Sequence, residues 1–369
     1  MNKKRGPVDF PLFITILILL AIGINMVFSA SMVEDYYKHN NTMYHLIRQL
    51  VWSGFGLFAM IVMANVDYFK LKNKKLIFFG MAATIVLLVV VLFMPPLNGA
   101  RRWIGVGGLG IQPSEIAKLM LIIYLSDNIS RKGEKIKSFT YGVLPVLFIS
   151  GIFAALIILE PNMSTTMIIL ATAFALLFAG GVPLKYLTGL LMVGLLGAVV
   201  LIAIAPYRLQ RVTAFLNPWS DPLGDGYQAI QSLYALGSGG FFGVKLGQSR
   251  QKFHYIPEAQ NDFIFAIIGE ELGFIGVLII ILLFAFLIWR GMKIALSCKD
   301  KFGSLLATGI TTLIAVQSSI NFLVVSSFMP VTGVTLPLIS YGGSSLVFTM
   351  ASLGVLLNIS RHTIRNGVE

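Results

Sequence analysis

The chain has 369 residues, 56% of them hydrophobic and only 12% charged, with 27 Phe and a mean hydropathy of +0.83. No soluble domain needs that much apolar surface, so the composition excludes a water-soluble enzyme and points to an all-α polytopic membrane protein. The net charge of +12 is spread without a basic stripe interleaved with aromatics, so it is no argument for nucleic-acid binding.

A membrane span needs about 20 apolar residues. Taken in chain order, the expected spans are 10–30, 46–66, 76–94, 113–129, 139–159, 163–180, 184–206, 262–289, 303–327 and 337–358. They make ten transmembrane helices in a single domain covering 1–369. The first span follows Lys3, Lys4 and Arg5 as a secretory signal would, but its apolar run is near full span length, so it is expected to stay in the protein. Most of the 28 Lys and Arg residues fall in the segments that share a side with the termini, among them Lys70, Lys72, Lys74, Lys75, Arg131, Lys132, Lys135 and Lys137. By the positive-inside rule both termini are then cytoplasmic. The single cysteine, Cys298, excludes an internal disulfide.

Between the third and fourth spans, Arg101 and Arg102 precede Trp103. Planar guanidinium groups bind phosphate oxygens in bidentate fashion, so the pair is a candidate pyrophosphate clamp; lipid headgroup contact with Trp103 as interfacial anchor is the alternative. The run Gly105 to Gly110 matches a dinucleotide fingerprint but follows no strand, and a turn into the next span is the better reading. Gln112-Pro113-Ser114-Glu115 opens the fourth span, and Glu115 and Lys118 share one helix face. Charges inside a bilayer cost about 2.5–3.5 kcal/mol or more each, so this pair either ties two helices together or walls a substrate cavity. Glu160-Pro161-Asn162 reads as the turn of a helical hairpin.

A large extracellular loop, 207–261, separates spans seven and eight, and its length argues for function. It starts with turn chemistry in Asn217-Pro218-Trp219-Ser220-Asp221-Pro222-Leu223-Gly224. A surface helix is expected from Tyr227 to Leu236, ended by Gly237 to Gly240, with Gly243 and Gly247 keeping the chain loose. The loop closes on Asp262, where an apolar helix begins. A carboxylate there sits at the water–lipid boundary, where it can reach both a soluble group and a lipid-linked one. Pro337 to Ser345 opens the last span, where Ser344 and Ser345 either bind substrate beside free backbone N–H groups or serve close helix packing. The scattered His and Cys carry no metal-ligand spacing, so no metal site is expected.

With these residues in view, the chain resembles the FtsW/RodA/SpoVE (SEDS) family of peptidoglycan glycosyltransferases over essentially its whole length. The likeness is densest in Ile111 to Lys118, Asn217 to Gly224, Gly226 to Ser232, Gly247 to Lys252, Asp262 to Ala266, Glu270 to Gly273 and Leu336 to Ser345. Asn217-Pro218-Trp219 and Gln248 to Lys252 look like the FtsW/SpoVE branch, and the short tails look most like SpoVE. The resemblance implies polymerisation of lipid II, an undecaprenyl-pyrophosphate disaccharide, at the outer face of the bacterial cytoplasmic membrane, for septum or spore cortex synthesis. It also implies a class B penicillin-binding protein as crosslinking partner. The family's essential aspartate maps onto Asp262, its span-four pair onto Glu115 and Lys118, and its loop arginine onto Arg102. No cofactor follows, and a divalent-cation requirement stays open. The chain departs from the family pattern at Asn261, usually Thr, at Glu160-Pro161-Asn162, usually Gln-Pro-Asp, and in Phe322-Leu323 and Ser326-Ser327, where glycine is usual. Two rival readings remain: a lipid II flippase, whose polar residues would run the full depth of several spans, and a non-enzymatic scaffold that only recruits the crosslinking enzyme.

Overall fold

The computed structural model describes residues 6–96, 100–105, 110–253 and 255–363. Lys3, Lys4, Arg5, Arg365 and the 106–109 part of the glycine run lie outside the described residues. Helices dominate: α1 (Phe10–His39), α2 (Tyr44–Asn65), α3 (Lys74–Val91), α4 (Pro113–Lys132), α5 (Leu144–Leu159), α6 (Met163–Gly180), α7 (Leu184–Ile204), α8 (Pro206–Leu216), α9 (Tyr227–Gly239), α10 (Ile264–Ser297), α11 (Lys301–Val325) and α12 (Gly343–Thr363).

Among the described residues, 9 helices are long and apolar enough to cross a membrane. The expected fourth span, α4, is not one of them by hydropathy, because it carries Glu115, Lys118, Asp127, Arg131 and Lys132. Its 20 residues still reach about 30 Å, the thickness of a bilayer core, and it packs against α3, α6 and α11 with Glu115 and Lys118 buried. The Glu115 and Lys118 charges face protein rather than lipid. At the other extreme α7 has only 6% of its apolar window buried and stands at the edge of the bundle. α1 has 30 residues, about 45 Å, and so overruns a bilayer core by several turns.

The described ends of the chain meet. Gly6 N donates to Arg361 O at 3.0 Å and Asp9 N to Ser360 Oγ at 3.0 Å, while Arg290 pairs with the Asp9 carboxylate that caps α1. Both described ends therefore lie at one end of the bundle.

Two elements depart from expectation. The last helix starts at Gly343 rather than 337, because Pro337 to Tyr341 fold into a turn with Leu338 at φ 66°. Ser340 Oγ accepts from Leu336 N at 2.7 Å there, and Tyr341 N donates to Gln260 O at 2.9 Å. The eighth expected span is broken: α10 kinks at Gly273 (φ 68°, ψ −166°), which divides a short, wholly buried piece, 264–272 apart from Leu272, from the long apolar remainder. The carbonyls freed at the kink, Glu270 O and Glu271 O, accept from Val244 N at 3.0 Å and Lys245 N at 3.1 Å. Phe274 N and Ile275 N donate in turn to Gly240 O and Phe241 O at 2.9 and 3.3 Å. The long loop thus repairs the helix it precedes. Gly243 is clamped rather than loose: a Cβ there would strike the backbone of Glu271.

Candidate active site

Asp262 stands at the end of the 207–261 segment, two residues ahead of the buried first piece of α10. Its approach is held by carboxylates deeper in the same piece. Glu270 accepts from Ser249 Oγ, from Arg250 N at 2.9 Å and from Gln251 N at 3.3 Å. Glu271 accepts from Ser29 Oγ at 2.6 Å and from Ser249 N at 3.2 Å, with Lys252 Nζ at 3.6 Å. The motifs 247–252 and 270–273 are therefore two halves of one joint, and the buried acids are spent on holding the loop rather than left for chemistry.

The joint presents Asp262 to the segment 331–335, between α11 and α12, whose carbonyls are held from α6, α8 and α11. Val331 O accepts from Arg211 Nη1 of α8 at 2.9 Å, and Thr332 O from Ser164 Oγ of α6 at 2.7 Å. Gly333 faces the Asp262 carboxylate: a Cβ built on it would lie 3.6 Å from Oδ2, and its φ of 69° favours glycine. Val334 O accepts from Asn321 Nδ2 at 2.7 Å, and the same amide nitrogen donates to Asp262 O at 2.7 Å. Thr335 O accepts from Gln317 Nε2 at 3.2 Å.

Gln317 carries the contact on to the fourth helix. Its Oε1 accepts from Lys118 Nζ at 3.3 Å, and Lys118 pairs with Glu115 at 2.8 Å. Gln317 and Asn321 are four apart on α11 and so share a face. That face links the buried ion pair to the backbone of Asp262. Arg102 reaches the segment by another route. The antiparallel bridge Ile104–Ile111 closes the base of the glycine run, with Trp103 packed on Gly110, and presents Arg102 to the α5–α6 turn. There its guanidinium donates to Glu160 O at 3.2 Å and to Pro161 O. The turn leads through Asn162, whose side chain caps α6 at Thr165 N, to Ser164 and hence to Thr332.

Of the expected site residues, Asp262, Glu115, Lys118 and Arg102 thus all lead to 331–335. Ser344 does not. It is buried and accepts from Gln112 N at 3.2 Å at the start of α4, a helix-joining contact, while Ser345 is half-buried beside Gly342. Gly343 packs on the Trp52 ring, which fits the packing reading of this stretch. The expected surface helix, α9, turns Ala229, Ile230, Ser232, Ala235 and Gly239 onto protein: Ser232 Oγ donates to Val325 O at 2.6 Å, and Gly239 abuts Gly269. Arg211, Gln317, Asn321 and Gly333 had no sequence signal of their own. The one clue was the run 329–337, a proline-bounded break with Thr and Gly where two spans should simply be joined.

The electrostatics suit proton transfer. Burial, with Glu258 nearby, pushes the half-buried Asp262 carboxyl up to about 6, against the pull of Arg211. It stays ionised at neutral pH but is more basic than an exposed carboxylate. Glu160 is fully buried, neither of its carboxyl oxygens has a hydrogen-bond partner, and burial raises it to about 8 despite Arg102. A carboxyl raised that far is mostly protonated at pH 7 and so compensates the Arg102 charge little. Burial, and Arg211 close by, pull Arg102 below its ordinary value. Arg102 and Arg211 both hold backbone that borders Asp262, through the α5–α6 turn and through Val331 O. An anion-stabilising pair stands beside a base.

A family profile described as "Cell cycle protein", FtsW/RodA/SpoVE, matches residues 10–365. Stage V sporulation protein E of Bacillus subtilis (strain 168) is 47% identical over 370 residues, covering 98% of this chain and all of that one. A probable peptidoglycan glycosyltransferase FtsW of Geobacter sp. (strain M18) is 40% identical, covering 98% of each chain. Among solved structures, a chain from a peptidoglycan synthase complex described as coordinating polymerization and crosslinking superposes with a TM-score of 0.79 at 30% identity, over 96% of this chain and 98% of that one. Thermus thermophilus rod shape determining protein RodA superposes with a TM-score of 0.70 at 27% identity, over 96% and 97%.

Proposed function

This chain belongs to the FtsW/RodA/SpoVE family, and from that membership and the setting of Asp262 we propose that it is a peptidoglycan glycosyltransferase polymerising lipid II at the outer face of the bacterial cytoplasmic membrane. The observation that carries the reading is the segment 331–335, which puts Asp262 opposite a glycine and is itself held by Arg211 at Val331 O.

In the reaction the C4 hydroxyl of one GlcNAc attacks the anomeric carbon of a MurNAc. A new C–O bond forms, the bond to undecaprenyl pyrophosphate breaks, and the pyrophosphate leaves with the electron pair. A sugar hydroxyl is a poor nucleophile, so Asp262 accepts its proton as the bond forms. The pyrophosphate is a good leaving anion and needs cations rather than an acid. Arg102 spends two donors on the α5–α6 turn and keeps others free, since a guanidinium has five. Arg211 supplies the second charge. Glu115 and Lys118 touch neither reacting atom in this scheme; through Gln317 they fix the segment that faces the base. The likeness to Stage V sporulation protein E, to FtsW proteins and to a chain of a peptidoglycan synthase complex supports a product made for the spore cortex or division septum, and on this reading a class B penicillin-binding protein is the crosslinking partner.

Purified protein in liposomes carrying lipid II tests the activity. Glycan strands are the expected product. Lipid translocated without polymer would assign a flippase, and neither product would leave a scaffold.

A further inference from the structure

At the end of the bundle away from Asp262, the turn between α2 and α3 and the end of α4 enclose an open groove of about 750 Å³ lined by Phe69, Lys70, Lys72, Asn73, Leu76 and Arg131. Lys72 Nζ lies 5.6 Å from the Phe302 ring centroid. Asp262 meets α11 at Asn321, nineteen residues farther along and so about 28 Å away by helical rise. We propose that this groove holds the headgroup of an acidic diacyl phospholipid, with the acyl chains lying along α3.

The charge has a built frame. A 3-10 turn, Tyr68–Lys72, is anchored by Tyr68 N on Asn358 Oδ1 at 2.9 Å, and the Asn73 side chain caps α3 at Lys75 N at 2.9 Å. Arg131 Nε donates to Asp127 at 2.7 Å and Nη2 to Lys72 O at 3.1 Å, which locks the guanidinium across the groove while leaving further donors. The other acids near the turn are engaged as caps: Asp67 accepts from Phe69 N and Asp300 from Gly303 N. Lys70 is exposed and Lys72 half-buried, so the groove gathers cations that a phosphodiester can bridge.

The apolar half decides between a lipid and a soluble anion. Phe69 and Leu76 are 46% and 50% exposed in the groove itself. From Leu76 the exposed face of α3 continues through Phe79, Ala83, Val86 and Val90, at helical spacing, as one apolar stripe. Inorganic phosphate has no use for that stripe; a phospholipid matches both parts. General attraction of basic loops to an anionic leaflet would not single out this groove, because Lys74 and Lys75 are equally exposed on the next turn and do not line it.

The test is native mass spectrometry of the full-length protein equilibrated with equal amounts of phosphatidylglycerol and phosphatidylcholine. Wild type should retain phosphatidylglycerol preferentially. Lys70→Gln with Lys72→Gln should lower that retention about tenfold, whereas Lys74→Gln with Lys75→Gln should change it little. Leu76→Gln, at an exposed position, should also weaken retention and guards against a fold defect in the lysine pair. Equal loss in both lysine pairs, equal retention of phosphatidylcholine, or displacement of the lipid by millimolar inorganic phosphate would each overturn the proposal. Loss of retention with lipid II polymerisation intact would separate this site from the one at Asp262.

Discussion

A carboxylate serves as a base only while ionised, and Asp262, raised to about 6, makes that requirement measurable. The polymerisation rate should fall about tenfold per pH unit below that value and level off above it. A profile flat down to pH 4.5 would assign the proton to another group. Glu160 gives a second test, in stability rather than rate. Its folded-state value of about 8 lies above the ordinary 4.5, so the folded protein keeps a proton that the unfolded chain releases. Stability from this group is full below 4.5 and is lost as pH rises towards 8. Glu160→Gln, which keeps shape and removes the ionisation, should melt several degrees higher than wild type at pH 8 and alongside it at pH 4.5. Equal melting at both would show that the carboxyl finds a partner. The acids and bases of the site were legible in the sequence because charge is rare in an apolar chain: Asp262, Glu115, Lys118 and Arg102 stand out. Gln317 and Asn321 did not, because an amide inside a span has many bland explanations, and Asn321 meets Asp262 across 59 residues of sequence. Arg211 was hidden among the other loop cations. For Ser344 the sequence left ligand and packing roles open, and its bond from Gln112 N supports the packing role.

At the scale of elements, periodicity located the spans, since long apolar runs leave few choices. It failed where a helix is repaired from outside. Nothing in Glu270-Glu271-Leu272-Gly273 distinguishes a kink from an ordinary small-residue contact, because the donors and acceptors that make the break affordable come from 240–245. Gly273 has φ 68°, and a Cβ there would meet the backbone of Gly243 and Phe241. Gly273→Ala should therefore cost at least ~1–3 kcal/mol in backbone strain alone and loosen the joint. The readouts are a lower melting temperature and faster tryptic cleavage at Lys245 and Lys252. Gly197→Ala, on the outlying α7 with open space around it, is the control and should be silent. Equal behaviour of the two variants would mean that the kink is not what holds the loop.

For the whole molecule, the contact of Gly6 with Arg361 puts the described ends of the chain at one end of the bundle, and the lysine and arginine asymmetry is the argument for proposing that this end is cytoplasmic. On that proposed topology the 207–261 segment and Asp262 face outward. A cysteine at Ser220 in a Cys298→Ala background should react with an impermeant thiol reagent on intact cells; labelling at a Ser138→Cys position instead would invert the molecule. The architecture as a whole could be read from composition and spacing, but the convergence of α4, α6, α8, α10 and α11 on 331–335 could not, since it depends on contacts between distant parts of the chain. That convergence gives the account its central claim, that Asp262 is the base of a glycosyl transfer. The direct measurement is lipid II polymerisation by purified Asp262→Asn in liposomes. The substitution leaves the backbone carbonyl free to keep its bond to Asn321, so the protein should fold and insert as wild type does. Glycan formation should drop by about a hundredfold or more; synthesis within a few-fold of wild type would contradict the claim.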